Sequence, residues 1–278
     1  MTQAGTLFVV ATPLGNLGDI TLRAVETLRQ VDVVAAEDTR RTRQLLHHLD
    51  AHPRLISFHA HSPGARGQEI LDLLARGQNL ALVTDAGTPL VSDPGADLVS
   101  LARDAGHPVV PIPGPSAVAT ALSAAGLPAD RYVFAGFPPR RGRERDLMLE
   151  RVSGETWSIV FFEAPPRLVP LLKDLARVGG EERRAVVARE LTKLHEEFRA
   201  GTLGQLLAYY TEHPPRGEIT LVLAGTPEAG PELPGTDELT TRARALLAEG
   251  LSRKETVRRL VEETGVSRNE VYRVVMGA

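Results

Sequence analysis

The residues best placed to do chemistry in this chain are carboxylates that follow short apolar runs. In LVTDAGTPLVSDPG (82–95), an apolar run from Leu80 stops at Asp85, and Asp, Gly and Pro then recur closely. Asp85-Ala86-Gly87-Thr88-Pro89 offers a carboxylate and several backbone N–H and C=O groups to a polar ligand, and its small side chains allow close approach. In AAEDTRRTRQLL (35–46), Glu37 and Asp38 stand at the end of a second run, and Thr39–Arg43 opens a helix. Either carboxylate could accept a proton or simply cap that helix. Arg40, Arg41 and Arg43 place positive charge at the same edge, for phosphate or for local carboxylates, and Arg189 has the same two readings. His59, Asp85 and Lys193 are further candidate bases. His59 and His61, in SFHAHS, have metal-ligand spacing but no evident third ligand, so a metal reading is weak.

Two more loops have the same form. ATPLGNLGDIT (11–21) follows the first apolar run; Gly15 and Gly18 relax the backbone, Asp19 is a plausible N-cap, and a helix is expected from Ile20. The loop is not GxGxxG, and no GxxxxGK[ST] occurs anywhere, which disfavours nucleoside triphosphate hydrolysis. In PIPGPSAVATALSAAGLP (111–128), Pro113-Gly114-Pro115 makes a rigid turn and Ser116 opens a helix of small residues. There Ala117, Ala119, Ala121 and Ala124 permit close packing, or the approach of a flat ligand.

The elements that must position these loops follow from periodicity. Strand-like runs are Leu7–Ala11, Val31–Ala35, Leu55–Phe58, Leu80–Thr84 and Val109–Ile112, with helical spacing between them in Thr21–Gln30 and Gly67–Arg76. Such alternation predicts a mostly parallel sheet covered on both faces, with all four loops at strand carboxyl ends. Convergence of four loops there marks a small-molecule cleft better than any one loop does. Gly126–Asp146 reads as a hinge followed by a loop, and alternation resumes with Ser158–Phe162, Ala185–Arg189 and Ile219–Ala224. The expected organisation is an N-terminal α/β domain over 1–120, a second α/β domain over 121–226, a Gly/Pro linker over 227–241 and a helical tail over 242–278.

Composition is that of an ordinary globular chain: 278 residues, 42% hydrophobic, 24% charged. Aromatics are only 4%, so Val, Leu and Ala must fill the cores. The absence of cysteine excludes disulfides and thiolate chemistry and is compatible with the cytoplasm. No membrane span and no signal peptide are read from the chain. Net charge is −3, so any nucleic-acid site must be local. Two regions qualify. PPRRGRER carries Arg140, Arg141, Arg143 and Arg145 against Glu144. From Arg242 to Ala278 there are eight Lys or Arg and five acids. That tail patterns as three short helices, with Ser252 capping the second and Gly265-Val266-Ser267 turning into the third, in the manner of a helix-turn-helix. Arg253, Lys254, Arg258, Arg268 and Arg273 could face RNA.

VATPLGNLGDITLRA, AAEDTRRT, LVTDAGTPLVSDPG, PIPGPSAVATALSAAGLP, FFEAPPR, ARELTKLHEEFRAGTL and GEITLVLAG occur in order from residue 9 to residue 225. Together they resemble the tetrapyrrole methylase family, the class III S-adenosylmethionine-dependent methyltransferases, and within it the branch that acts on ribosomal RNA. The resemblance implies two α/β domains with S-adenosylmethionine folded into the cleft between them. It implies cofactor contacts, largely through backbone, at Asp85, Ala86, Gly87 and Pro89, with Ser116 and Ala117 lining one end. Phe162, Glu163, Leu191, Glu218 and Ile219 would close the pocket from the second domain, and Leu14 and Gly15 would line the substrate side. The implied reaction is 2′-O-methylation of a cytidine ribose in 16S ribosomal RNA within the small subunit. A homodimer in the cytoplasm is implied too. On this reading Glu37, Asp38 and Lys193 are the catalytic candidates, and Arg40, Arg140, Arg141, Arg143, Arg253 and Arg268 bind RNA. One alternative is a methyltransferase for a tetrapyrrole or other small molecule, which needs neither basic loop nor tail. Another is a metabolite-sensing regulator that binds nucleic acid through the tail and transfers no methyl group.

Overall fold

The computed structural model describes residues 4–59, 64–227 and 234–277. The chain divides into two compact units, Met1–Thr226 and Pro227–Ala278.

The first unit contains two five-stranded sheets. Sheet one is built from β1 (Leu7–Val10), β2 (Val33–Ala36), β3 (Arg54–Ser57), β4 (Leu80–Val83) and β5 (Val109–Ile112) in the order β3-β2-β4-β1-β5. Every pairing in it is parallel. The intervening helices are α1 (Leu22–Gln30), α2 (Thr39–His48), α3 (Ala65–Ala75) and α4 (Ala96–Asp104). Alternate strand residues serve opposite faces, as a period of two requires. Val33, Ala35, Leu80 and Leu82 pack with Ile70, Leu74, Leu98 and Ala102 of α3 and α4. Val34, Ala36, Ala81 and Val83 pack with Ala24, Leu28 and Leu46 of α1 and α2. Burial on both faces explains the unbroken apolar runs.

α1 begins two residues later than the sequence suggests. Leu17–Asp19 forms a single 3₁₀ turn capped by Asn16, and Thr21, not Asp19, caps α1 by accepting from Ala24 N–H. A threonine three residues ahead of the first free amide satisfies it better than Asp19, which the extra turn has already consumed.

α5 (Ala117–Ala125) leaves β5 and crosses to the second sheet. That sheet comprises β6 (Tyr132–Gly136), β7 (Ser158–Glu163), β8 (Arg184–Arg189), β9 (Glu197–Thr202) and β10 (Ile219–Leu223), ordered β6-β7-β10-β8-β9. β6 and β7 are parallel, and the other pairs are antiparallel. α6 (Arg143–Gly154), α7 (Pro165–Gly179) and α8 (Leu203–Glu212) cover one face through Leu149, Leu171, Leu175 and Leu206. The other face, Val160, Val186, Ala188 and Val222, receives Val118, Ala121, Leu122 and Ala125 of α5. Ala119 and Ala124 point outward, so only part of the alanine pattern serves packing. Gly126–Asp146 is not simply hinge and loop, since β6 lies within it. β6 and β9 form the edges of the sheet, where one side of the backbone is unpaired and polar residues are tolerated, so neither shows a clean apolar run.

The second unit holds α9 (Thr236–Ala248), α10 (Arg253–Thr264) and α11 (Arg268–Gly277) around Leu239, Ala243, Val257, Leu260, Val271 and Val275. α9 starts inside the stretch read as linker; Asp237 and Glu238 in its first turn favour helix there through the N-terminal dipole. Residues 228–233 of that stretch lie outside the described residues. Ser252 and Glu255 form a reciprocal capping box on α10.

Replacing Ala121, fully buried between α5 and the second sheet, by Leu should overfill the joint and cost about 1–3 kcal/mol in a denaturant titration. Ala119→Leu, on the exposed side of the same helix, should cost less than about 0.5 kcal/mol.

Candidate functional site

β1 and β4 lie side by side although distant in sequence, and the loops leaving their carboxyl ends are tied together. Thr12 N–H donates to Gly87 O at 2.9 Å and Gly87 N–H returns to Thr12 O at 3.0 Å. Thr12 Oγ1 also donates to Thr84 O at 3.1 Å. Gly87 has φ +85, and a Cβ there would meet Leu14 Cδ2 at 3.1 Å. The 88–95 segment is anchored by Thr88 Oγ1, which donates to Pro115 O at 3.0 Å.

These loops wall one side of a cleft of about 440 Å³. Leu14, Glu37, Asp85, Ala86, Gly87, Ser116 and Ala117 line it from the first sheet and α5; Phe162, Glu163, Leu191, Glu218 and Ile219 line it from the second. Arg41 and Thr88 share the lining, and so do Thr84, Val91, Ser92, Asp93, Phe137 and Thr220, which the sequence pattern did not single out. Asp93 had a signal, as the second acid of LVTDAGTPLVSDPG. Thr84 had none, because it reads as the end of an apolar strand. Pro89 is buried behind the loop and does not line the cleft.

The adjacent acids Glu37 and Asp38 separate by role. Asp38 caps α2, accepting from Arg40 N–H at 2.8 Å, and pairs with the Arg40 guanidinium at 3.1 Å. The Arg40 hydrogen bonds hold its carboxyl down at about 2, which makes it a poor base. Glu37 instead faces the cleft, with Thr84 Oγ1 3.1 Å from Oε2. Asp85 Oδ1 accepts from Asp38 N–H at 3.0 Å and Oδ2 lies 3.4 Å from Arg41, so this carboxylate ties its loop to α2.

Lys193 lies at the rim. Its stem packs on Gly15, where a Cβ would come within 2.4 Å of Lys193 Cγ. Its ammonium sits 3.0 Å from Glu190 and 3.1 Å from Glu218. Burial works to lower its pKa, but the hydrogen bonds it donates to the two glutamates outweigh this and hold it above the ordinary lysine value. An ammonium held this way has no lone pair with which to take a proton. Across the rim, Asn16 N–H donates to Thr192 Oγ1 at 3.2 Å.

Glu163 is almost fully buried. Oε1 accepts from Ala164 N–H at 2.9 Å and lies 3.2 Å from Arg167 Nε, and Oε2 has no partner among the described residues. Burial is the main cause that pushes this carboxyl up. Arg189 is taken by Glu197, at 3.0 Å. In the basic loop Arg140, Arg141 and Arg143 are exposed, whereas Arg145 is pinned to Asp174 at 2.7 Å and to Pro139 O at 2.7 Å. Arg253 and Arg268 are exposed on the second unit. His61 lies outside the described residues, and among those residues no cluster of three metal-ligating side chains occurs.

Gly87→Ala should destabilise the unit by about 1–2 kcal/mol, because a β-carbon at that φ is strained and strikes Leu14. Gly106→Ala, with φ +80 but open surroundings, should cost less; the difference between the two denaturation midpoints reads the Leu14 contact.

Known proteins share this arrangement. The family described as Tetrapyrrole (Corrin/Porphyrin) Methylases matches residues 6–207. Ribosomal RNA small subunit methyltransferase I of Synechocystis is 48% identical over 97% of both chains, and that of Escherichia coli O157:H7 is 44% identical over 98% of this chain and 95% of its own. Among solved structures, a uroporphyrin-III C-methyltransferase of Thermus thermophilus superposes with a TM-score of 0.56 at 23% identity, covering 79% of this chain and 94% of its own. Another, determined with S-adenosylhomocysteine bound, gives 0.57 at 19% identity, over 79% and 97%. With the two sheets, the loops at the strand carboxyl ends and these relationships in agreement, the chain belongs to the tetrapyrrole methylase family.

Proposed function

We propose that this protein transfers a methyl group from S-adenosylmethionine to a ribose 2′-hydroxyl, that of a cytidine, in the 16S RNA of the small ribosomal subunit. The observation that carries the reading is the near full-length similarity, 48% over 97% of both chains, to a ribosomal RNA small subunit methyltransferase I. The small-molecule alternative is less favoured: the tetrapyrrole enzyme likeness covers 79% of this chain at 23% identity. The same family reading makes the protein a cytoplasmic homodimer. No helix among the described residues is long and apolar enough to cross a membrane.

The residues present fit the cofactor. Glu37, Asp85, Asp93 and Glu218 outnumber Arg41 in the lining, which favours a cationic ligand. Phe162, Leu191 and Ile219 supply an apolar wall for a flat ring. Gly87 lets a ligand approach the backbone that ties β1 to β4. S-adenosylmethionine, when bound, supplies an electrophilic methyl carbon on a positively charged sulfur. The protein must then hold the hydroxyl in line with that carbon, an orientation effect that can amount to several powers of ten. Leu14 and Gly15 at the rim would orient the ribose, and Arg140, Arg141 and Arg143 would take RNA phosphates, which supply much of the affinity in such complexes. Arg253 and Arg268, on the second unit, would bind RNA as well. Lys254, Arg258 and Arg268 share a face with Glu255 and Glu262, so the tail's contribution is mixed in charge.

The test is incubation with methyl-labelled S-adenosylmethionine and small subunits lacking the modification, followed by digestion of the RNA. Labelled 2′-O-methylcytidine is expected; no label in the RNA, with protein that binds S-adenosylhomocysteine, would refute the reading. Replacing Arg140, Arg141 and Arg143 together by Ala should weaken RNA binding and lower the salt dependence of log K by about 2–3, close to one per lost phosphate contact. S-adenosylhomocysteine affinity should not change.

A further inference from the structure

The cleft contains one arrangement that the cofactor and the RNA rim do not account for. Thr84, only 4% exposed, belongs to the lining. Its Oγ1 lies 2.7 Å from Asp93 Oδ2 and 3.1 Å from Glu37 Oε2. Its backbone is fixed by Thr12, as described above. A hydroxyl carries one hydrogen and donates to one acceptor at a time. The shorter contact gives it to Asp93. Glu37 Oε2 then faces the lone pairs of the same oxygen, so one hydroxyl stands between two carboxyl groups of the cleft.

We propose that Glu37, Thr84 and Asp93 form the proton-accepting unit of the cleft, with Asp93 as the catalytic base and Thr84 as the residue that positions it. The proposal rests on the function proposed above and adds the base that it leaves open. The site is defined by the cleft, which both carboxyl groups line. Thr84 engages Oδ2 of Asp93, leaving Oδ1 for the substrate. Three other candidates are committed elsewhere: Asp38 to Arg40, Asp85 to Asp38 N–H and Arg41, Lys193 to two glutamates. In the transfer, Asp93 takes the hydroxyl proton as the ribose oxygen bonds to the methyl carbon, and the carbon–sulfur electron pair stays on the departing neutral thioether.

The surroundings favour this role. Burial is the largest influence raising the Asp93 pKa; the Glu37 and Asp85 charges add to it, and the Thr84 hydrogen bond opposes it. Arg41, from α2, engages Asp85 and is 63% exposed, so it offsets little of that charge. Glu163 and Glu218 complete the charged groups on the opposite wall. A carboxylate raised in this way is a stronger base than an ordinary one.

The test is single-turnover methylation of small-subunit RNA across pH, with S-adenosylhomocysteine binding measured by calorimetry on the same variants. Asp93→Asn should slow transfer by about 10²–10⁴-fold while binding S-adenosylhomocysteine as the parent does. The base works deprotonated, so activity rises with pH through its pKa, and raising that pKa moves the acid limb to higher pH. Glu37→Gln removes a neighbouring charge and should move the limb to lower pH. Thr84→Val removes the bond that lowers Asp93 and should move it to higher pH, and Thr84→Ser should restore it. Asp93→Asn at the parental rate, a proportionate loss of S-adenosylhomocysteine binding, or a limb that stays put in both Glu37→Gln and Thr84→Val would overturn the assignment. If the parent methylates no RNA, the functional reading fails instead. Carboxyl-carbon NMR then still reads the unit: a carboxyl titrating above the ordinary range, and higher in Thr84→Val, supports it, and ordinary titration in both refutes it.

Discussion

The seating of α5 on the second sheet is the contact on which the rest of the first unit depends. α5 starts where β5 ends, so its N-terminus belongs to the ring of loops above the first sheet. Its buried side, Val118, Ala121, Leu122 and Ala125, belongs to the core formed by Val160, Val186, Ala188 and Val222. Two of these helix residues are alanines, so the helix backbone sits close to the strands. Protein interiors are packed too densely to absorb a shift of such a joint. The spacing at α5 therefore sets how far the 85–88 loop stands from Phe162, Leu191 and Ile219, and so the width of the cleft.

A second consequence is the separation of charge. Carboxylates line the interior of the cleft, while Arg140 and Arg141 stand exposed on the loop before α6 and Arg143 in its first turn. A cationic cofactor and a polyanionic substrate make opposite demands on a surface, and placing the two signs at different depths meets both. On the proposed reading, only a ribose hydroxyl would have to enter the acidic interior, with its phosphates left outside. The rim itself is held by local pairing: Lys193 bridges Glu190 and Glu218 and packs on Gly15. Charges paired in this manner hold the loops together and are not free for the reaction.

Much of this was legible in the chain. The strands of both cores announce themselves as apolar runs because they are buried on two faces, and the glycine and acid loops follow them directly. β6 and β9 escaped because edge strands are covered incompletely and carry residues such as Arg199 and Gly136. The antiparallel character of the second sheet was also hidden, since a strand buried on two faces reads the same in either direction. Of the residues expected at the cleft, Leu14, Glu37 and Asp85 line it, and Asp38 and Pro89 do not.

The sequence by itself determined what depends on near neighbours: where strands end, that Asp38 and Ser252 could cap helices, that α5 is lined with small residues, and that the chain belongs with the tetrapyrrole methylases. Only the tertiary structure decided what each acid does. Glu37 and Asp38 are adjacent, yet one caps a helix and the other meets Thr84, 47 residues away. Arg140 and Arg145 look alike in PPRRGRER, yet Arg145 is held by Asp174, 29 residues on. A side chain's ionisation and reach are set by whatever charges and dipoles surround it in space, and in a fold of crossed parallel strands those come from distant segments.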